Sequence, residues 1–294
     1  MILIYVMQFL IKKYSQPPNP SAAENSMEKY TSLSRKIRNS ILNMIYKSKS
    51  PHIGSCFSSV EILAALYSKV LNISPDNTFN PDRDRFILSK GHAAAALYAV
   101  LAEHGFLSKS EISRFAVNGG ALEQHPSRDL KRGIEVSTGS LGHGLSIGAG
   151  MAIAGKRDKK DYKVYVLLSD GELNEGSTWE AVMFASHHSL DNLIAIVDYN
   201  KIQALGYTKD IINLEPLSRK WLSFGWGVKE INGHDFSQIF EAFDSVPSSG
   251  GKPGVIIAHT VKGKGVSFME DNLLWHYRTP DDKEYEMALK ELSQ

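Results

Sequence analysis

At 294 residues the chain is long enough to bury a full core as one large domain. Lys and Arg total 33 against 32 for Asp and Glu, a net charge of +1, which gives no reason to expect nucleic acid or an anionic membrane as a partner. The single cysteine, Cys56, excludes an intrachain disulfide framework and a cysteine-rich zinc site and fits a reducing, cytoplasmic setting, and no apolar run reaches bilayer-spanning length.

Residues 1–26, "MILIYVMQFLIKKYSQPPNPSAAENS", begin apolar. No basic residues precede the apolar part and no clean small-residue cleavage site follows, so the stretch reads as an extension or linker rather than a secretory signal. Met27 is a second candidate start, and the domain proper is expected over 27–294. Leu33, Ile37, Ile41, Met44 and Ile45 recur at helical spacing and predict a helix over about 28–48. Ser58 with Glu61 has the capping-box pattern ahead of "ILAALYSKVL", a second helix. "RFILS" is a short strand, and "GHAAAALYAVLAEHG" a helix stopped by Gly105. "GLSIGAGMAIAGK" is small and apolar, which predicts a helix lying close against a neighbour. "YKVYVLLS" and "NLIAIVD" are continuous apolar runs rich in Val and Ile, the pattern of strands covered on both faces, with "EGSTWEAVMFASHHSL" as a helix between them. "GWGVKEI" and "PGVIIAHT" add two more strands. This alternation predicts an α/β fold with a mostly parallel sheet flanked by helices on both faces.

Lys163–Ser169 and Leu193–Val197 with the helix between them form a βαβ unit, so the two strands run parallel. Asp170 and Asn200 then sit just beyond the carboxyl ends of two strands, the edge where ligands bind in open α/β sheets. A carboxylate and an amide oxygen are hard ligands that suit Mg²⁺ or Ca²⁺ rather than zinc. Gly171 lets backbone approach a phosphate, and the following helix offers its positive end. The inference is a metal–diphosphate site; the plainer alternative is that Asp170 and Asn200 only cap turns. "GSLGHG" is a glycine loop without the Lys-Ser/Thr of a P-loop.

Asp-Gly, then about thirty residues, then the Asn of "DYNKI" resembles the thiamine-diphosphate motif. "SPHIGSCFSSVEILAALY", "FILSKGHAAAALYAVLAEHGF", "HPSRDLKRGIEVSTGSLGHGLSIGAGMAIA" and "TVKGKGVSFMEDNLLWHYRTP" resemble, in order, blocks of the transketolase family from about Lys29 to Pro280. The resemblance implies the diphosphate-binding (PP) module of the thiamine-diphosphate fold. It implies Asp170, Asn200 and the carbonyl of Ile202 as Mg²⁺ ligands, with Ca²⁺ or Mn²⁺ as substitutes. Gly171 and Glu172 would lie in the diphosphate turn, with Asn200 and His92 also at the cofactor, and Gly139, Ser140 and Leu141 along its aminopyrimidine. His52, His92, His125 and His276 would line the channel above the thiazolium, holding sugar hydroxyls and moving protons; Glu175 and Glu180 would be interface acids. His104, His187, His188 and His259 carry no block signal and read as structural. Departures from the family pattern are Ser169 before Asp170, His143, Pro51 before His52, and Tyr277–Arg278 after His276; they put the identity of the sugar in doubt.

A one-chain transketolase continues into a pyrimidine-binding domain, and no segment here resembles it. The resemblance therefore implies the N-terminal subunit of a split transketolase. Such a chain transfers a two-carbon ketol unit from a ketose phosphate to an aldose phosphate, as in the pentose phosphate reactions, only with a C-terminal pyrimidine-domain partner, as an α2β2 assembly. Three other readings stay open: a related thiamine enzyme such as a deoxyxylulose-phosphate synthase, a specialised ketol-transferase of surface-sugar or secondary metabolism, and a non-catalytic binding or regulatory subunit.

Overall fold

The structure, a computed structural model, describes residues 20–246 and 250–294, with side chains from Met27 onward. The first nineteen residues of the expected extension lie outside the described residues. The first helix, α1, runs Pro20–Ser48 and so starts upstream of the expected position. Its Ile37, Ile41 and Ile45 are fully buried, at the spacing that lines one helix face.

Two short helices follow, α2 (Ile53–Ser58) and α3 (Val60–Ala65), every residue of which is buried. The capping-box reading of Ser58 and Glu61 is overturned here. Ser58 ends α2 and donates its hydroxyl to Asp198 at 2.6 Å, while Glu61 is drawn inward to pair with Arg38 at 2.6 Å. A charge-assisted buried pair outweighs a helix cap. Next come β1 (Arg85–Leu88), α4 (Ala94–Glu103), α5 (Gly144–Arg157), β2 (Val164–Ser169), α6 (Gly176–His187) and β3 (Leu193–Tyr199). A two-residue hairpin, β4 (Ile202–Gln203) and β5 (Gly206–Tyr207), precedes α7 (Leu217–Ser223), β6 (Gly227–Asn232), α8 (Phe236–Ser245), β7 (Gly254–His259) and α9 (Asp282–Leu292).

The main sheet has order β1-β2-β3-β7-β6, and its described pairings are all parallel. Every residue of β2 and β3 is buried, as their unbroken apolar sequences require of strands with helices on both faces. One core layer joins α1, α3, α4 and α8 to one face; the other joins α5, α6 and α7 to the opposite face. The small residues of α5 have a structural reason: a Cβ on Gly148 would stand 2.6 Å from Cγ2 of Val166 in β2. In register, Ser169 pairs Asp198 and Tyr199 pairs His259, so the carboxyl ends of β2, β3 and β7 form one continuous edge. No described helix is long and apolar enough to cross a membrane.

Candidate functional site

That edge carries a cavity of about 310 Å³. Asp170 follows β2 directly and opens a 3₁₀ turn, Gly171–Asn174. Its carboxylate is 1 % exposed and accepts from two backbone N–H groups, Gly171 at 2.7 Å and Lys201 at 2.5 Å. Burial, then the charge of Asp198, pushes its pKa up to about 6. Asn200 follows β3; its Nδ2 donates to Ser58 at 3.3 Å and its Oδ1 accepts from the Ile202 N–H at 3.1 Å. Lys201 between them holds φ at +68°, which turns the chain sharply and aims its N–H at Asp170. A buried carboxylate disfavoured by its surroundings, next to an amide oxygen and the Ile202 carbonyl, is a donor set that fits a small divalent cation.

The four histidines expected from sequence meet above this floor. From His52, ring centroids lie 5.3 Å from His92, 6.4 Å from His125 and 5.0 Å from His276. His52 sits in left-handed backbone at φ +74°, directly before α2, and its N–H donates to the His276 carbonyl at 3.0 Å. Burial lowers the His52 pKa to about 4, helped by the nearby His125 and Lys262. Burial likewise lowers His276 to about 3 and His92 well below the ordinary value. All three are neutral imidazoles at neutral pH.

Two buried polar atoms of residues lining the cavity, Nδ1 of His52 and Nδ2 of Asn174, have no hydrogen-bond partner. Orphaned buried groups around a cavity are what a polar ligand satisfies. Gly139 and Leu141 line the cavity, and at φ +148° a Cβ on Gly139 would strike the His125 ring at 2.9 Å. Ser140 is exposed and outside the lining. Glu172 is fully buried beneath the turn; it accepts from Ser89, from the Gly142 N–H at 3.0 Å and from the Ser169 N–H at 3.4 Å. Its carboxylate ties the 139–142 loop to the Asp170 turn and does not line the cavity. Glu175 is exposed at the cavity rim, and Glu180 is exposed on α6 away from it.

Among the departures, Tyr277 is 61 % exposed and outside the cavity lining, with its ring beside the histidines, 4.7 Å from His276 and 6.1 Å from His52. Arg278 pairs with Glu284 at 2.7 Å and is turned toward α9. Ser169 uses its hydroxyl to accept the Glu172 N–H at 3.3 Å.

Sequence reasoning missed two buried lysines. Lys90, fully buried, pairs with Asp198, which also accepts from Ser58 and Thr260. Lys262, also fully buried, donates to the Ile202 carbonyl at 2.9 Å and meets Nδ1 of His276 at 2.8 Å. Burial pushes its pKa down to about 8, so it stays largely cationic at neutral pH. Both lysines fall inside the blocks "SKGH" and "TVKGKG"; alternating small and polar neighbours gave no sign of burial.

A parallel sheet whose carboxyl edge gathers an acid–amide pair, a glycine turn and convergent imidazoles is built for a cofactor anchored by phosphate. A family profile described as "Transketolase, thiamine diphosphate binding domain" matches residues 30–288, and the chain belongs to the transketolase family through that domain. It is 44 % identical over 261 residues to an apulose-4-phosphate transketolase subunit from Phocaeicola vulgatus, covering 89 % of this chain and 92 % of that one. It is 42 % identical over 256 residues to the 6-deoxy-6-sulfo-D-fructose transketolase subunit SqwG of a Clostridium species, covering 87 % and 93 %. The transketolase structure from Campylobacter jejuni superposes with a TM-score of 0.84 at 30 % identity, over 90 % of this chain and 42 % of that one. The chain thus spans about two-fifths of a one-chain transketolase.

Proposed function

We propose that this chain is the N-terminal subunit of a two-chain transketolase, a thiamine-diphosphate- and Mg²⁺-dependent transferase that moves a two-carbon ketol unit from a ketose to an aldose. The observation that carries the reading is the convergence of four imidazoles over the Asp170–Asn200 floor in one cavity. Asp170, Asn200 and the Ile202 carbonyl would hold the metal; Ile202 keeps a second lone pair beside the one that Lys262 engages. The Gly171 turn, the free amide N–H of Asn174 and the Lys262 ammonium would hold the diphosphate. The cofactor, when bound, supplies an electron sink for the carbon–carbon bond that breaks.

The rest falls to side chains of this chain. His276 accepts at Nδ1 from Lys262, which leaves Nε2 carrying the proton and able to donate to a sugar oxygen. His52, neutral and with Nδ1 free, can accept a hydroxyl proton or donate to an oxygen according to tautomer. His125 stands at the open side of the cluster, against Gly139, where an incoming sugar first meets the channel. The partner would supply the pyrimidine-binding domain, and an α2β2 assembly completes two sites; two relatives named as transketolase subunits support a partner.

A second reading concerns the sugar. Two relatives are named for apulose 4-phosphate and for 6-deoxy-6-sulfofructose, and Tyr277 adds an exposed ring against His276. Both favour a specialised ketol-transferase over a pentose phosphate enzyme. A donor panel on the assembled enzyme tests both readings: xylulose, fructose, apulose and sulfofructose donors with an aldose acceptor. Ketol transfer that needs cofactor and Mg²⁺ is expected, with an unusual ketose preferred. Consumption of pyruvate without ketol transfer would overturn the assignment.

A further inference from the structure

A chain of buried polar contacts reaches the candidate cofactor site from behind. It starts on α1, where Arg38 grips Glu61 of α3 with both terminal nitrogens, at 2.6 and 2.8 Å. Glu61 then accepts from Nδ1 of His234 at 2.9 Å. His234 accepts in turn at Nε2 from the backbone N–H of Val261, also at 2.9 Å. A backbone N–H can only donate, so Nε2 carries no proton and Nδ1 does. Both imidazole nitrogens are committed, and Glu61 fixes the tautomer.

The place where this chain ends matters. β7 stops at His259; the Thr260 N–H still donates to the Tyr199 carbonyl of β3 at 3.3 Å, and beyond it the Val261 N–H has no strand partner. His234 takes that role. The next residue is Lys262, whose ammonium contacts the Ile202 carbonyl and His276. Its stem runs in a tight channel, since a Cβ on Gly54 would come within 3.1 Å of its Cγ. An ammonium on a confined stem is aimed by the backbone it leaves from.

We propose that His234 is a positioning residue of the cofactor site: it holds the Val261 N–H and so aims Lys262 between Ile202 and His276. The inference rests on the reading of this cavity as the diphosphate site. Loss of the acceptor leaves the Val261 N–H unpaired and loosens that point of a segment otherwise held by the Thr260 N–H on the Tyr199 carbonyl at 3.3 Å and the Asp271 N–H on the Lys262 carbonyl at 2.9 Å, and so shifts the Lys262 ammonium away from the Ile202 carbonyl and from Nδ1 of His276.

The test uses the enzyme assembled with its pyrimidine-domain partner, with calorimetry for thiamine diphosphate plus Mg²⁺ and steady-state kinetics at saturating cofactor. His234→Leu should weaken cofactor affinity about tenfold, the size expected for a buried donor left unpaired, with a smaller rise in KM for the ketose because His276 loses its Lys262 contact. His234→Gln, which can offer an amide oxygen to Val261, should recover most of the loss. In a Lys262→Met background, His234→Leu should cost less than about twofold more, because the group it aims is gone. If His234→Leu does not fold, His234→Asn, too short to bridge Glu61 and Val261, takes its place in the same cycle. Wild-type affinity in the Leu or Asn variant, or its full loss persisting beside Lys262→Met, overturns the inference. A wild-type assembly that binds no cofactor sinks the diphosphate reading itself, and this inference with it.

Discussion

On the proposed reading, Asp170 and the histidines divide the labour of the site, and single substitutions separate them. Asp170→Ala should weaken Mg²⁺-dependent cofactor binding by more than about a hundredfold, since losing even an outer-shell partner costs ten- to a hundredfold. The metal-free variant should melt close to wild type. A carboxyl whose folded pKa is raised from 3.8 to about 6 favours the fold only while protonated, so stability from this group is lost as pH rises through that window. Removing it at neutral pH relieves that penalty and offsets the two lost backbone hydrogen bonds. His125→Ala, by contrast, should lower kcat with cofactor affinity intact, because its ring faces the channel and not the floor. Calorimetry beside kinetics checks the pair; an Asp170→Ala variant with unchanged affinity would contradict the metal assignment. Asp170 and Asn200 were legible in sequence because strand ends can be found from the apolar runs before them. Lys90, Lys262 and Asp198 were not, since a lysine reads as surface until the fold brings its counter-charge: Lys90 and Asp198 are 108 residues apart.

Among the elements, the parallel strands were the most legible, because burial on both faces leaves an unbroken apolar run. Apolar character in β3 stops at Val197, where polarity begins, yet the strand continues to Tyr199. Asp198 stays in the ladder because Lys90, Ser58 and Thr260 satisfy its carboxylate, contacts that come from distant segments. Glu61 misleads for the same reason: its partners Arg38 and His234 are 23 and 173 residues away, so its local spacing to Ser58 suggests a cap. The small-residue character of α5 is legible in sequence, and it carries a prediction. Gly148→Val would drive a branched side chain into Val166 and Leu193, for which a Cβ alone already stands at 2.6 and 3.4 Å. Overpacking of this kind costs about 1–3 kcal/mol. The variant should show a clearly lowered melting temperature, whereas Gly150→Ala, with no neighbour within 4 Å of the added carbon, should not. Equal melting of the two would mean that α5 does not lie on β2 as closely as described.

For the whole molecule, on the proposed reading, the chain presents a furnished half-site. The floor, the glycine turn and the imidazoles are present, while Leu205, Ile212, Leu274 and Tyr277, on segments at or near the cavity, are each more than half exposed. No sequence pattern identifies those residues as a shared face, because single exposed apolar residues are ordinary in any folded protein. Both acids expected at an interface, Glu175 and Glu180, are solvent-exposed on the described chain, Glu175 at the cavity rim just before α6 and Glu180 one turn into that helix, away from the cavity. On the proposed reading, the site is completed between two different chains. Ketol transfer and cofactor affinity of this chain purified free of partner decide the point, measured with saturating Mg²⁺ and thiamine diphosphate before and after the pyrimidine-domain chain is added. The expected result is no turnover and weak cofactor binding alone, with a large rise in both on mixing, because binding energy shared across the interface appears only once both halves are present. Turnover by the isolated chain at the level of a one-chain transketolase would contradict it.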